Sequence, residues 1–223
     1  MKTRKTWIKL LMAAASLLGA LPEVCAEAIQ CANLIYGGTH TSRCFSDEFL
    51  SAVQKDTTIE TERRFKTVKL ASDELFKYPF TVLTGEKDFH FTADERKNLK
   101  RYLESGGFLL VSAGCSNQEF DKAFRREIKA VFEDKPLGAL AADHTIYRTV
   151  HPVAELKTKG HGYGANEKIA LEGLTVGEKT VLVYSKHGLN DTAHTEGCCC
   201  CGGSEITNAL EVNVNILVYA LLY

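Results

Sequence analysis

Between residues 80 and 132 the chain repeats one order of signals: apolar run, helix start, apolar run, helix start. Phe80-Thr81-Val82-Leu83 follows Pro79 and is ended by Gly85. Thr92-Ala93-Asp94-Glu95 then forms a capping box, with Glu95 placed to reach back to the residue that caps the helix. Behind it Leu99, Tyr102 and Leu103 share one helical stripe, closed by Gly106-Gly107. Phe108 to Val111 is continuously apolar, as in a strand covered on both faces. Ser116-Asn117-Gln118-Glu119 has the form of a second capping box, and Phe120, Ala123, Phe124, Ile128, Val131 and Phe132 follow at helical spacing. Strand, helix, strand, helix in such short succession requires right-handed crossovers and a parallel sheet.

The flanks extend that pattern. Ala32 to Tyr36 is a short apolar run ending at Gly37-Gly38, after which Ser46 is placed to cap a helix with Asp47 and Glu48 in its first turn. Phe65 to Leu70 alternates as a strand, and Ile169 to Leu174 with Thr180 to Ser185 read as a hairpin joined through Val176-Gly177. A last helix, capped by Ser204, carries Ile206, Leu210, Leu217 and Leu221. With no long linker, repeat or low-complexity run, residues 27–223 are expected to form one three-layer, flavodoxin-like α/β domain with a mainly parallel sheet.

A resemblance rests on part of this pattern. Leu75-Phe76-Lys77-Tyr78-Pro79-Phe80, Thr92 to Glu95, Leu99 to Leu109, Phe120 to Phe132 and Asp143-His144-Thr145-Ile146-Tyr147 together resemble the bacterial domain-of-unknown-function family 4159. The resemblance spans most of residues 31–223. That family is similar to class I glutamine-amidotransferase-like and trehalose-utilisation-protein-like domains, which implies a flavodoxin-like sheet and no particular activity. Its members tend to end the strand at 108–111 on acidic residues, where this chain has Ser112-Ala113-Gly114-Cys115. Chemistry at Cys115 is therefore not implied by the family.

Residues 1–26 read as a secretory signal. Lys2, Arg4, Lys5 and Lys9 precede an apolar stretch from Leu10 to Leu21, and Val24-Cys25-Ala26 supplies a cleavage site before Glu27. The stretch is shorter than the roughly 20 residues of a membrane span, and Glu23-Val24 lacks the small residue that precedes a lipidated cysteine. An uncleaved amphipathic anchor is the alternative. Periplasmic or secreted location is expected, with no membrane span after cleavage. Removal of the signal takes four of the 27 Lys+Arg and one of the 28 Asp+Glu, which leaves a net charge of about −4. Such a balance gives no electrostatic footprint for nucleic acid.

In an oxidising compartment the cysteines become the most chemically loaded residues. Seven of the eight lie beyond the signal: Cys31, Cys44, Cys115 and the run Cys198-Cys199-Cys200-Cys201, which Gly202-Gly203 follows. Ligands of open α/β sheets sit beyond the carboxyl ends of the strands. Cys115 follows one such strand and precedes a helix start, Cys44 stands just before Ser46, and the tetrad stands just before Ser204, so all three are expected on one rim. There, helix N-terminal N–H groups would favour a thiolate. Cys31 begins its strand and is expected at the opposite edge.

Four chemistries fit the cluster. Structural disulfides would join Cys44 and Cys115 to members of the tetrad, since adjacent cysteines, about 3.8 Å apart at Cα, pair poorly. A thiophilic metal, Zn²⁺ or copper, would take Cys44, Cys115, Cys198, Cys199, Cys200 and Cys201 with His194, and His187 and Asp191 lie nearby in sequence. Contiguous cysteines are not the spacing of a standard zinc finger. A thiol-dependent hydrolase would use Cys115 as nucleophile, His144 as base and Asp143 to orient it, although the glycine of a tight nucleophile elbow is missing after Cys115. A redox dithiol would use Cys198 and Cys201.

Weaker features complete the reading. Thr39-His40-Thr41-Ser42-Arg43 follows a strand end and is a second place for ligand contact. His151-Pro152 marks a turn, Lys159 to Gly164 a loop over the rim, and Arg125 and Arg126 the wet side of their helix. An unidentified small ligand or metal ion is the expected partner.

Overall fold

The computed structural model describes residues 27–42, 47–158, 169–189 and 206–223. The apolar run after Gly107 shows how the sequence becomes a layered core. It forms strand β5 (Phe108–Ala113), buried at every position. Its side chains alternate: Leu109, Val111 and Ala113 join one apolar cluster, Phe108 and Leu110 another. A strand read as continuously apolar therefore serves two cores, one on each face of the sheet.

The remaining elements run in chain order as β1 (Ala32–Tyr36), β2 (His40–Thr41), helix α1 (Asp47–Asp56), β3 (Lys66–Lys69), β4 (Phe80–Gly85) and α2 (Ala93–Glu104). After β5 come α3 (Gln118–Val131), β6 (Gly138–Ala139), β7 (Glu172–Val176), β8 (Lys179–Ser185) and α4 (Ala209–Leu222). Among the described residues these eight strands form one sheet. Its centre is parallel, in the order β3-β1-β4-β5-β8. The expected β7–β8 hairpin is present and antiparallel, turning through Gly177 at φ +64°, and β6 adds to its outer edge. Leu99, Tyr102 and Leu103 of α2 and Phe120, Ala123, Phe124 and Ile128 of α3 pack on one face. Phe49, Leu50 and Val53 of α1 and Val212, Val214, Ile216 and Leu217 of α4 pack on the other.

The chain runs from β1 outward to β3, then returns past β1 to β4. The reversal opens a gap between β1 and β4, which pair only through Ala32 and Asn33. Strand β2 fills the widening carboxyl half of that gap: His40 and Thr41 pair with Tyr36 and Ile35. Ser42 then stitches the two strands together, its hydroxyl donating to Leu34 O (3.0 Å) and accepting from Thr84 N (3.1 Å).

Helix starts account for the clearest departures from expectation. Thr92 and Glu95 form the capping box at α2 as read from the sequence. At α3 the cap is Asn117, whose side chain accepts from Glu119 N and Phe120 N at 2.9 and 3.0 Å. Ser116 is thereby released for another role. The last helix begins at Ala209, because Ile206 is held in a bridge to Thr158 and Thr207 and Asn208 form a turn, in which Thr207 N donates to Lys157 O at 2.6 Å. Tertiary pairing overrides helical periodicity there. Ser46 and Ser204 lie outside the described residues. Helix α4 is buried around most of its girth, and its Asn213 and Asn215 tie down neighbouring backbone at Leu189 and at Val150–His151.

Arg125 is half-buried and Arg126 exposed, so their side of the helix is wet as expected, but both guanidiniums are held by acids. Arg125 grips Glu172 with two bonds (2.8 and 2.6 Å) and also holds Asp121 (2.8 Å); Glu172 foremost pushes its guanidinium above an already high value. Arg126 bonds Asp88, Glu127 and the carbonyl of Phe89. Glu127, wholly buried, also accepts from Arg96 (2.8 Å) and Phe91 N (3.2 Å). Burial alone would raise its carboxyl; Arg96, Phe91 N–H and Arg126 reverse that and hold it below the usual range.

Candidate functional site

The carboxyl ends of β1, β4, β5 and β8 form one rim. At β1, Gly37 and Gly38 take φ of +55° and +82°, which lets the chain turn straight into β2 and stacks His40 on Tyr36 with ring centroids 5.5 Å apart. Tyr36 crosses the gap to donate to Thr84 O at 2.9 Å. A side chain at Gly85 would collide with that hydroxyl and with Phe120, so β4 can end there only on glycine. Glu86 follows at once, pointing toward the next strand end.

That next end carries the two most strained residues described. Cys115 has φ 50° and ψ 28°, and Ser116 has φ 53°. Two consecutive left-handed residues that are not glycine cost roughly 1–2 kcal/mol each, and such strain concentrates at functional sites. The turn they make throws their side chains in different directions. Cys115 Sγ donates to Glu86 Oε1 at 3.4 Å, toward β4. Ser116 Oγ accepts from Gly188 N at 3.2 Å, toward β8.

On the β8 side the chain is tied down densely. Ser185 Oγ donates to His187 O (2.6 Å), Leu189 N donates to Ser112 Oγ (2.8 Å), and Ile206 N donates to Gly188 O (2.9 Å). These bonds hold His187 beside the start of α3. A cleft of about 190 Å³ lies there, lined by Ser116, Gln118, Asp121, Lys122, Lys186 and His187. A larger cleft of about 780 Å³ sits at the opposite edge among Gln30, Gln54, Arg63 and Arg64, without cysteine or histidine in its lining.

The sequence-predicted residues divide sharply by place. Cys115 is on the rim. The expected array of free helix N–H groups is not what its sulfur meets, because Asn117 takes Glu119 N and Phe120 N, and the sulfur meets a carboxylate instead. Asp143 and His144 are not beside it. His144 caps the short 3₁₀ turn Thr145–Arg148, its Nδ1 accepting from Ile146 N (3.2 Å), and its Nε2 meets Thr180 Oγ1 (3.4 Å). Thr180 lies five residues before Ser185, which pairs with Ser112, so His144 and Cys115 are separated by roughly 16 Å of strand. The hydrolase arrangement with His144 as base and Asp143 as orienter is therefore withdrawn. Burial, then the Arg148 charge, holds the His144 imidazole below its ordinary value against the pull of Asp143, as suits a neutral structural group.

Cys31 is fully buried at the amino edge as expected, and burial pushes its thiol up to about 12. Cys44, Cys198, Cys199, Cys200, Cys201, His194, Asp191, Arg43 and the loop 159–164 lie outside the described residues. Among the described residues no group of three His, Cys, Asp or Glu side chains is placed to hold a metal ion. Sequence reading missed Glu86. The signal was available, since it is the first polar residue after an apolar strand, at the end where ligands of such sheets bind.

A search of curated proteins finds no match to this chain. The profile described as Domain of unknown function (DUF4159) matches residues 30–221, and the chain belongs to that family.

Proposed function

We propose that this chain is an exported binding or structural domain of flavodoxin-like, three-layer form whose carboxyl rim gathers the cysteines into one site. In this reading residues 1–26 are the secretory signal, and the mature domain works in the periplasm or outside the cell. One observation carries the rim site. Both stretches that hold the other candidate cysteines are attached at the rim, next to Cys115. Residues 43–46 follow Ser42, which is bonded to Thr84 at the end of β4. Residues 190–205 leave from Leu189 and return at Ile206, whose N–H is bonded to Gly188, itself bonded to Ser116. Cys201 is five residues from Ile206, and an extended chain of that length spans at most about 18 Å. That length allows the tetrad to reach Cys115 and Glu86.

A thiophilic ion or disulfides would stabilise such a rim in an oxidising compartment. Cys115 and Glu86 would offer sulfur and oxygen to Zn²⁺ or copper, with further thiolates from Cys44 and the tetrad and His194 as the nitrogen donor. The test is elemental analysis and a free-thiol count on protein purified from the exported fraction. About one Zn or Cu per chain, lost in Cys198→Ser/Cys200→Ser, supports the metal form. Metal-free protein with no more than two reactive thiols besides Cys31 supports the cross-linked form. Four or more titratable thiols with no metal would overturn both.

A further inference from the structure

We propose that the outer edge of β3 is a docking site for an extended acidic peptide of a partner protein, which adds to the sheet as a further strand. The site is independent of the carboxyl rim. Among the described residues β3 pairs only with β1, so the sheet ends there on an open strand. The bonds of that pairing show which backbone groups point outward. Lys66 N donates to Cys31 O (3.0 Å) and Leu70 N to Ile35 O (2.9 Å), so the even-numbered peptide groups face β1. Those of Thr67 and Lys69 alternate to the other side. Ser72 N donates to the Lys69 carbonyl (2.9 Å), which leaves the Thr67 N–H, the Thr67 carbonyl and the Lys69 N–H as an outward row.

The sequence along that row is strongly basic. Arg63-Arg64-Phe65-Lys66-Thr67-Val68-Lys69 holds four cations and no acid, in a chain whose formal net charge is −1. Local geometry turns these charges outward. Between the Ile29–Thr61 bridge and the Ala32–Lys66 pair, four residues of the outer chain face two of the inner one. The outer chain therefore bulges at Arg63-Arg64, and Gln30 fills the gap by donating its side-chain amide to Arg64 O (2.7 Å). All four basic residues are exposed. Arg96, Arg101, Arg125 and Arg126 are each held by a carboxylate, whereas Arg63, Lys66 and Lys69 have no acid within ion-pair distance among the described residues. The cleft of about 780 Å³ opens beside the bulge, with Arg63, Arg64 and Lys66 in its lining. Glu60 and Glu62 also line it, which confines the attraction for acids to residues 63–69.

Both features are needed to name the occupant. A polyanionic glycan or a lipid headgroup is served by the charge but cannot pair with a row of backbone N–H and C=O groups, as a peptide strand does. A second copy of this chain is disfavoured, because two antiparallel β3 edges would set lysine against lysine. An acidic strand satisfies both features. Its main chain bonds Thr67 and Lys69 while its carboxylates meet Lys66, Lys69 and the bulged arginines. The cleft takes the residues that run on beyond the short strand.

The test uses the full chain and a short fluorescein-labelled peptide of alternating glutamate and valine, read by fluorescence anisotropy. Saturable binding is expected. It should weaken at least about tenfold when every backbone amide of the peptide is N-methylated, which removes the donors and keeps the carboxylates. Lysine in place of the peptide's glutamates, or Lys66→Glu/Lys69→Glu in the chain, should weaken it by about as much. Thr67→Pro should do the same, and proline suits an edge position whose N–H faces outward, so the fold is kept. If that variant melts early, the N-methylated peptide still decides on the original chain. Bound peptide should also slow hydrogen exchange at the Thr67 and Lys69 amides. No saturation by about 1 mM peptide would overturn the proposal and leave the lysines as guards of a bare edge. Equal binding of the N-methylated peptide, with exchange at Thr67 unchanged, would overturn it in favour of a surface for polyanions.

Discussion

The two ends of the parallel strands are made from the same residue types and behave as opposites. At the amino ends the reactive side chains are packed away, and the open cleft there has no cysteine or histidine in its lining. Cys31 is enclosed, Phe80 stacks on Phe108 at 5.7 Å, and the Tyr102 hydroxyl donates to the Tyr78 and Phe108 carbonyls at 2.7 and 3.2 Å. His144 is spent on capping and on packing against Tyr219. At the carboxyl ends glycines and left-handed residues replace that packing, and a thiol, a carboxylate, a hydroxyl and an imidazole are left facing clefts or one another. One thiol is therefore inert core and another is chemistry, and the strand end on which each falls decides which.

Glycine substitutions should separate the two ends most strongly. A Cβ at Gly107 would land in the ring of Tyr102, which cannot move without breaking its hydroxyl bonds, so Gly107→Ala should cost about 3 kcal/mol by overpacking. Gly85→Ala meets the Tyr36 hydroxyl and should cost nearer 2 kcal/mol, but it also displaces Glu86. Denaturant melts with metal content and thiol counts read both. Loss of rim properties in Gly107→Ala at temperatures where it remains folded would break the distinction between the ends.

What the sequence made legible follows the same line. Strands β1, β4 and β5 and the α2 capping box were readable because each is specified locally, by an apolar run or a four-residue pattern. The Ser116–Asn117 capping site was read one residue early, since both residue types cap equally well and only the bond from Gly188 N assigns Ser116 elsewhere. Asp143-His144 was a plausible base and orienter by composition. Its distance from Cys115 is a property of the crossover through β6 and β7, which no local pattern encodes. Glu86 was legible from its place just past β4, whereas the position of His187 beside the start of α3 follows only from the strand order.

Glu127 tests how firmly the rim's approach loop is held. It fixes His90 and Phe91, and Arg126 beside it fixes Asp88, so residues 88–91 hang from α3. Glu127→Gln removes a charged acceptor shared by Arg96 and a buried N–H and should cost about 2 kcal/mol. The carboxyl is held below the ordinary glutamate value of 4.5, so its stabilisation is complete above that pH and lost as pH falls through the folded value. Melts from pH 6 to pH 3 should therefore converge for Glu127→Gln and the original chain. Curves that stay parallel would show that the charge of Glu127 contributes nothing.

A smaller effect is expected at His144. Its imidazole is held below 6.5, so the folded chain takes up the proton less readily than the unfolded one. Stability is then full above pH 6.5 and declines as pH falls through the folded value. Protonation would also cancel the acceptor that Nδ1 offers Ile146 N. His144→Leu should cost about 1 kcal/mol at pH 7.5 and flatten the pH dependence between 7 and 5. It should leave thiol counts and any rim metal unchanged, and a change in either would return His144 to the site.

The smallest shift, and the one of opposite sign, belongs to Cys115. Its left-handed backbone costs roughly 1–2 kcal/mol for a residue with a Cβ, and glycine removes that strain. Glycine also gives the unfolded chain more freedom, which offsets about 0.5–1 kcal/mol, and the weak bond to Glu86 is lost. Cys115→Gly should therefore raise stability by about 0.5 kcal/mol, the net of these opposing effects. A core cysteine behaves otherwise: Cys31→Gly opens a cavity and should destabilise. If Cys115→Gly also destabilises, in metal-free and reduced protein alike, the strained turn is held by packing and the two ends of the sheet differ less than their geometry suggests.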